Sequence, residues 1–461
     1  MKKISLYKLL SLLCVALYAL PVWSMSIMND GELSTAEGQS LVTLSYLAPT
    51  DAGNFEAANN VGFYKLGFEA EVAANLNIKK LQLGCGGVNG AGDCDIDIDN
   101  LSLSGNPAQV GGTPDTSTNR NNRVQSSAIL TNPFFQFAIE NPTVASTRKV
   151  VGFRFGSESA TGLLTLGTEN TATPNGINTL SGYMNIGSAT GTATTQARSM
   201  TYSDVSKAMT GRVDVDFLGI GVRDFSSTVY TLNLASATAA ITTAPVVIAG
   251  NRMTSANLTG TGNIGGIAFT GNMDAVINNV ICLFGCLDLT LNKDVTGTIT
   301  GLVANVPIVQ DLGFIHKLDI NNPFSLSVQG QDVHWPGAAA AAEKGWWMAF
   351  EDQINIGSVT PTATVAITNA VLSQALGPVG CNNPTAPGIN CTLYRHYRAC
   401  PTGSPDCGGA MAYCSGLSCF GGSLPIGTVN VTGTTVDFPL SNLQLSAQSF
   451  TPNCYGTLKF C

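Results

Sequence analysis

Ile96-Asp97-Ile98-Asp99-Asn100-Leu101-Ser102-Leu103 decides the fold. Apolar and polar residues alternate, slip by one place at Asp99-Asn100, then alternate again. Alternation marks a strand with one dry face and one wet face. A slip of one residue turns every later side chain to the wrong face, and a β-bulge restores the register. Asn suits the slip because it enters strained and left-handed backbone more readily than most residues. The same shape recurs at Ala275-Val-Ile277-Asn-Asn279-Val280-Ile-Cys282, at Val365-Ala-Ile367-Thr-Asn369-Ala370-Val-Leu372 and at Phe438-Pro-Leu440-Ser-Asn442-Leu443-Gln-Leu445. Leu76-Asn-Ile78-Lys-Lys80-Leu81-Gln-Leu83 is a looser copy with Lys80 in place of Asn. Bulges are expected at Asn100, Asn279, Asn369 and Asn442. The uneven spacing of these copies argues against a solenoid, which keeps a fixed period.

The chain has 461 residues, enough for two or three domains or one large β architecture. Charged residues are 11% and hydrophobic residues 44%, which excludes a disordered solvating chain. The expected fold is all-β: an elongated antiparallel sheet or sandwich of long bent strands, with one short helix and a disulfide-stapled C-terminal segment. A transmembrane barrel needs regular segments of about ten residues with aromatic girdles, and the 7% of aromatic residues show no such banding.

Residues 1–24 read as a cleaved secretory signal, with Met25 the mature start. Lys2, Lys3 and Lys8 form a basic region, and the apolar run from Leu9 to Leu20 is too short for a comfortable membrane span. No later apolar run is long enough, so no transmembrane segment is expected in the mature chain. Residues 25–40 form a short N-terminal segment, where Asn29 and Glu32 stand at capping-box spacing. Residues 41–376 form the β-rich body and residues 377–461 a cysteine-rich C-terminal region. The net charge is −8, and loss of the three signal lysines takes it to −11. That argues against nucleic acid as a partner.

Of 13 cysteines one lies in the signal. The remainder fall as near neighbours: Cys85 and Cys94, Cys282 and Cys286, Cys381 and Cys391, Cys400 and Cys407, Cys414 and Cys419, Cys454 and Cys461. In an oxidising compartment this spacing reads as local disulfides. The expected pairs are Cys85–Cys94, Cys282–Cys286 and Cys454–Cys461, with local pairing of open connectivity within 381–419. Zinc is the rival reading, but it favours C-x₂₋₄-C knuckles and often His, and only His396 is near.

Leu66 to Ile78 alternate almost perfectly and predict one long strand. Residues 105–123 predict a polar loop, and residues 186–201 a flexible loop or weak edge strand. Five alanines at 338–342, with Gly345 as a stop, predict a short helix near 337–344. Trp346, Met348 and Phe350 then alternate and open a strand.

Asp93, Asp95, Asp97 and Asp99 would share one face of a strand and could hold Ca²⁺ through carboxylate oxygens. Ile96 and Ile98 between them suit a strand better than a wrapping loop, and the Gly and Glu of a calcium loop are missing. A solvated acidic face is the plainer reading, and no other cofactor is expected. His316, His334 and His396 stand beside no nucleophile motif, and no G-x-S-x-G, H-E-x-x-H or P-loop occurs. No catalytic residue is assigned, so the chain is expected to be no enzyme. Trp335, Trp346 and Trp347 could stack on a sugar or pack in a core.

Leu83-Gly-Cys85-Gly-Gly-Val-Asn-Gly-Ala-Gly-Asp-Cys94-Asp-Ile-Asp, with Trp335-Pro-Gly and Gly345-Trp346-Trp347, resembles the Fil-type pilus-system surface proteins of Acinetobacter-like gammaproteobacteria. Glu32-Leu33-Ser34-Thr-Ala-Glu-Gly38-Gln39 resembles a segment that follows the signal peptide in gammaproteobacterial surface proteins. The resemblance spans most of the mature chain and supplies no catalytic residue. It implies an exported protein of the periplasm, outer membrane or cell surface. The implied partners are other envelope or pilus-system proteins, and beyond them a host surface or glycan. The alternative is a lipid-binding protein whose amphipathic strands form an apolar groove.

Overall fold

The computed structural model describes residues 41–86, 90, 92–106, 117–168, 172–206, 208–216, 221–282, 286–320, 323–361, 363–375, 412–415, 423–430, 435–446 and 448. Residues 1–40 and most of residues 377–461 lie outside them.

The strands in chain order begin with β1 (Val42–Leu47), β2 (Val61–Phe68), β3 (Glu71–Ala74), β4 (Leu76–Leu83), β5 (Ile96–Ser104), β6 (Ala128–Glu140), β7 (Lys149–Thr165), β8 (Ile177–Ile186) and β9 (Thr190–Thr194). Then come β10 (Arg198–Thr201), β11 (Met209–Asp216), β12 (Gly221–Ser227), β13 (Tyr230–Leu234), β14 (Thr238–Thr243), β15 (Val246–Met253), β16 (Ser255–Ile264), β17 (Ile267–Cys282), β18 (Cys286–Thr300) and β19 (Val303–Asp311). The last are β20 (Lys317–Ile320), β21 (Phe324–Gln329), β22 (Gly345–Ile354), β23 (Ser358–Pro361), β24 (Ala412–Ser415), β25 (Ser423–Asn430), β26 (Thr435–Asp437), β27 (Leu440–Ser441) and β28 (Leu445–Ser446). Helices are few and short: α1 (Ser117–Val124), α2 (Tyr202–Val205) and α3 (Asn369–Ala375).

The two motif copies at 76–83 and 96–103 pair with each other as the antiparallel hairpin β4–β5, Leu83 opposite Ile96 and Leu76 opposite Leu103. Ile96 and Ile98 are buried, the slip falls at Asp99-Asn100, and Leu101 and Leu103 are buried again. Asn100 takes a left-handed backbone, φ 48°. Register against β4 is unchanged across it, and only the Lys79–Asn100 pair is lost there. On its other side β5 changes neighbour: Ile96 to Ile98 pair with β8, and Ser102 to Ser104 pair with β7. The hydrogen-bonded path β7–β21–β22–β8–β5 thereby returns to β7. β22 lies parallel to β8, and a Cβ on Gly182 would stand 2.0 Å from the Met348 carbonyl oxygen, so only glycine admits this approach.

Asn279 sits at the expected bulge, whereas Asn100 makes none against β4 and Asn442 lies just beyond a two-residue strand, both with left-handed backbone instead. Between the pairs Ile277–Leu289 and Ile281–Leu287, three residues of β17 face one of β18. Asn442, φ 49°, follows β27 and donates its backbone N–H to the Val309 carbonyl at 2.9 Å. Asn369 departs from the expectation, because it opens α3. Thr368 accepts from the Val371 N–H at 3.3 Å, an N-cap bond, and Arg198 donates to the Ile367 carbonyl at 2.6 Å and to the Asn369 side chain at 2.9 Å. A capping threonine and a cationic partner outweigh the strand pattern.

The sheets are mixed rather than wholly antiparallel. The first holds β1-β2-β6-β7-β21-β22-β8-β5-β4 in order, with β3 on β6, β15 on β8 and β20 on β7. The second runs β10-β13-β17-β12-β11-β24, with β18 joining β17 to β25, and the third runs β26-β19-β16-β14-β9 with β27 on β19. β24, β25, β26 and β27 each add in parallel to a strand of the body. β16 alternates without a fault, burying Ala256, Leu258, Gly260, Gly262 and Ile264 and exposing the residues between. Val365, Phe438 and Leu440, from two motif copies, close over that face and leave an apolar cavity of only about 20 Å³.

Three further expectations are corrected. The long strand at 66–78 is divided: β2 and β3 follow β6 with an irregularity at Glu69-Ala70, and β4 turns away to β5. Asn75 marks the second break, donating to the Ser126 carbonyl at 2.5 Å. The end of the expected polar loop, residues 117–123, falls in α1. The alanine run forms no helix. Pro336-Gly337 sets a turn in which Ala338 N–H reaches the Trp335 carbonyl at 3.0 Å, with Gly337 at φ 75°. Val333 and Ala342 then exchange two backbone bonds of 2.9 Å. The 337–344 backbone is also claimed from outside: Glu351 accepts from Ala339 N–H at 3.0 Å and Gln329 donates to the Glu343 carbonyl at 2.6 Å. A helix of eight residues is marginal alone, and these partners outweigh its propensity. Residues 186–201 supply the edge strands β9 and β10, as expected.

Two substitutions test these assignments. Asn100→Val is expected to lower unfolding free energy by about 1–2 kcal/mol, the cost of a left-handed backbone for an ordinary side chain, while Asn100→Gly changes it little. Equal losses for both in denaturant unfolding would show that the backbone geometry is not the cause. Trp335→Ala is expected to cost about 3–5 kcal/mol by the same measurement.

Candidate interaction surface

The first sheet is dry on both faces around β6 and β7, and only one face is covered. On that face Val61, Phe63, Ala138, Trp347 and Ala349 pack beneath the 331–344 loop, whose Trp335 is almost wholly buried. Arg154 is buried here too. Its Nη2 donates to Gln136 at 2.6 Å and to the Pro336 carbonyl at 2.9 Å, and its guanidinium stands 5.3 Å from the Phe134 and Trp335 rings. Burial lowers its pKa to about 10, with Glu351 opposing, so it is charged at neutral pH. Glu56 accepts the His334 N–H at 2.7 Å and Phe55 stacks on His334 at 4.4 Å, which pins the loop from the other side.

The opposite face carries an apolar row across the strands. Leu44 faces Leu66, Leu66 faces Phe135, Phe135 faces Phe155 and Phe155 faces Leu326. A second row runs Tyr46, Tyr64, Phe137, Phe153 and Val328. Ring contacts bind the rows together: Tyr46–Tyr64 at 4.4 Å, Phe137–Phe153 at 5.3 Å and Phe135–Phe155 at 5.4 Å. Toward β22 this face merges with the main core. Toward β1 it opens. Leu66 and Phe135 are half-buried, whereas Leu44 is 75% exposed and Val42 and Tyr46 are also exposed. Among the described strands β1 ends the sheet, and its side chains from Val42 to Tyr46 are exposed on both faces. The sequence predicts a strand over Leu41 to Leu47; its place at the end of the sheet among the described strands is set by which strands pair.

The acidic run is divided by the hairpin. Asp95 is buried and accepts the Trp346 N–H at 3.0 Å. Asp97 and Asp99 do share the wet face. Lys80, directly opposite Asp99, stands 2.5 Å from Asp97 and 3.0 Å from Asp99, and Asn178 donates to both at 2.9 and 2.7 Å. Burial alone would raise the Asp97 pKa, but the bonds from Lys80, Gln82 and Asn178 outweigh it and hold the carboxyl below its ordinary value of 3.8. Burial likewise disfavours charge on Lys80, and its two carboxylate partners more than offset that. The two carboxylates are thus balanced by a lysine, and among the described residues no group of three or more His, Cys, Asp or Glu side chains could hold a metal ion. The backbone oxygen of Asp93 accepts from the Gly86 N–H at 3.2 Å, within the loop that the Cys85–Cys94 disulfide closes.

Cys282 and Cys286 face each other as register partners at the β17–β18 turn. Cys414 lies in β24, while Cys381, Cys391, Cys400, Cys407, Cys419, Cys454 and Cys461 lie outside the described residues. His316 is fully buried with Nδ1 2.9 Å from the Leu166 carbonyl; burial pushes its pKa down and that bond opposes. His396 is outside the described residues. Trp335, Trp346 and Trp347 do not form one cluster: Trp335 and Trp347 belong to the smaller core and Trp346 to the main one. A polar depression of about 500 Å³ lies beside β1, lined by Thr43, Glu69, Glu71, Asn132 and Glu158. Among the described residues no helix is long and apolar enough to cross a membrane.

The Lys80 network yields a pH dependence with a definite sign. Because the Asp97 pKa is depressed on folding, its stabilisation is present above its ordinary 3.8 and is lost as pH falls through the depressed value. Lys80→Met should therefore destabilise the protein at pH 7, with the difference from wild type shrinking below about pH 4. A difference that stays constant from pH 7 to pH 2 in denaturant unfolding would remove the network as its cause.

No protein-family model, no curated protein and no solved structure matches this chain.

Proposed function

We propose that this chain is an exported, non-enzymatic protein of the cell envelope, a surface or pilus-associated component with a structural or adhesive role. The observation that carries the proposal is the exposed apolar side chains of Leu44 and Tyr46 on β1, the end strand of the first sheet among the described strands. A sheet edge with bare aromatic and aliphatic side chains is a surface for adding a strand, the mode called β-augmentation. Three features of the sequence support the same reading. The signal-like first 24 residues direct export. The paired cysteines suit an oxidising compartment, and Cys85–Cys94 is formed. The resemblance to Fil-type pilus-system proteins points to the same place. Wet faces rich in Thr, Asn and Ser suit contact with other envelope proteins or with a glycan.

Cell fractionation with surface labelling of intact cells tests location. A strain lacking the protein is expected to lose adhesion, biofilm formation or filament display while growing normally. Normal adhesion and filaments in that strain, together with turnover of a defined substrate by the purified protein, would overturn the proposal. Lipid that co-purifies in native mass spectrometry would replace it with the lipid-binding alternative, in which the same apolar face carries an acyl chain.

A further inference from the structure

We infer that the Cys85–Cys94 disulfide is a redox-set latch on the 331–344 loop. Closed, it holds the root of the loop in place through Asp95; opened, it lets that root lift from the smaller core. Such a latch goes beyond the envelope reading and depends neither on that reading nor on β1.

The latch is built from the sequence neighbours of the two cysteines. Gly84 precedes Cys85 and Asp95 follows Cys94, so the disulfide clamps these two residues at the end of the β4–β5 hairpin, just past the Leu83–Ile96 pair. The Asp95 carboxylate reaches across to the start of β22. Its Oδ2 accepts the Trp346 N–H at 3.0 Å, and a Cβ on either Gly84 or Gly345 would collide with that same oxygen. Glycine at these two positions is what lets the carboxylate in. Asp95 is buried, its backbone carbonyl receives the Ser181 N–H at 2.7 Å, and the Cys94 carbonyl receives the Thr179 hydroxyl at 3.0 Å.

The 331–344 loop ends where Gly84, Asp95, Gly345 and Trp346 meet. Gln329 donates to the Glu343 carbonyl at 2.6 Å and the Lys344 N–H donates to Asp332 at 2.9 Å, so the root is folded back on the loop as it enters β22. The loop packs over Phe63, Ala138 and Trp347 and carries Trp335 into the same cluster. Its outer ties run through Glu56, Glu351 and Arg154, so the latch governs the root and not the whole loop. β4 is the last strand of the first sheet among the described strands, and none of its residues is buried. The end of such a hairpin frays readily, and a crosslink between cysteines nine residues apart removes the frayed states.

The two sulfurs are unequally placed, for Cys85 is exposed and Cys94 buried. A thiolate of an external dithiol attacks the Cys85 sulfur, the S–S bond breaks, and the Cys94 sulfur leaves with the electron pair and takes up a proton. The second thiol of the reductant then displaces Cys85 from the mixed disulfide, so the protein gains two thiols and the reductant becomes a disulfide. A disulfide oxidant reverses the exchange and sets the latch, as on passage from a reducing to an oxidising compartment.

Amide exchange and tryptic cleavage of the full chain, oxidised and after dithiothreitol, test this. Reduction should speed exchange at the Trp346 N–H by about tenfold or more and raise cleavage after Lys344, while exchange at Ile277 in β17 stays as it was. Cys85→Ser combined with Cys94→Ser should reproduce both effects without reductant, which separates this disulfide from the other cysteines. Asp95→Ala keeps the disulfide and removes the acceptor, so it should loosen Trp346 as reduction does, and reduction should then add little. If Asp95→Ala does not fold, the double cysteine variant decides. Unchanged exchange at Trp346 and unchanged cleavage after Lys344 in the double variant overturn the inference. Faster exchange that reaches Ile277 equally also overturns it, since the disulfide is then a general staple. So does an effect of reduction in Asp95→Ala as large as in the wild type, since the root is then not held through Asp95.

Discussion

The left-handed backbone at Asn100 is the constraint on which the first sheet depends. A strand hydrogen-bonds to one neighbour on each side, and β5 must serve two on the same side. The single reversal at Asn100 lets it leave β8 and meet β7 without losing register to β4. The Asp99 backbone bridges the exchange, its N–H reaching the Gly176 carbonyl at 2.9 Å and its carbonyl receiving the Gly167 N–H at 2.8 Å. Closing the ring in this way gives Ile96, Ile98, Leu101 and Leu103 a common interior despite the change of parity. The wet side is tied across three strands by Lys80, Asp97, Asp99 and Asn178, and the hairpin end is tied by Cys85–Cys94.

Beyond the ring the sheet continues through β6 and β2 to β1, and its two faces are treated differently. One is sealed by a loop with little regular structure, held by a buried tryptophan and a buried arginine. Arg154 stays charged there because two aromatic rings, an amide oxygen and a backbone carbonyl replace its water. The described residues leave the other face open, and it is most exposed at its outer strand. Apolar surface buried in contact contributes roughly 25 cal/mol per Å², so a bare row of this kind favours whatever covers it. An edge strand alone would serve for recognition, and a face alone for packing. β1 presents both.

The C-terminal strands show how the fold manages edges elsewhere. They join the second and third sheets in parallel, far along the chain from their partners, and cover strands that would otherwise end those sheets. Two motif copies, at 365–372 and 438–445, are used as cover over the third sheet more than as strands within it. The same local pattern therefore does three things: it turns a paired strand, it caps a face, and at Asn369 it starts a helix.

The sequence by itself determined that the chain is a β protein, where β1, β5, β11, β16 and β22 run, that Asn279 lies at a bulge, and that Cys85 pairs with Cys94; at Asn100 and Asn442 it marked left-handed backbone, not the bulges expected there. These are local properties: alternation, a residue that tolerates left-handed backbone, and two cysteines nine residues apart. Tertiary structure decided what local pattern leaves open. The alanine run forms no helix because Glu351 and Val333 take its backbone groups and Gln329 takes that of Glu343 beside it, and Asn369 enters a helix because Thr368 and Arg198 hold its start. The acidic run is split because the hairpin turns Asp95 inward and sets Lys80 across from Asp99. The candidate surface was the least legible of all. Alternation in β1 states that one side is apolar; whether that side is covered depends on strands brought to it from elsewhere in the chain, and none of the described strands is.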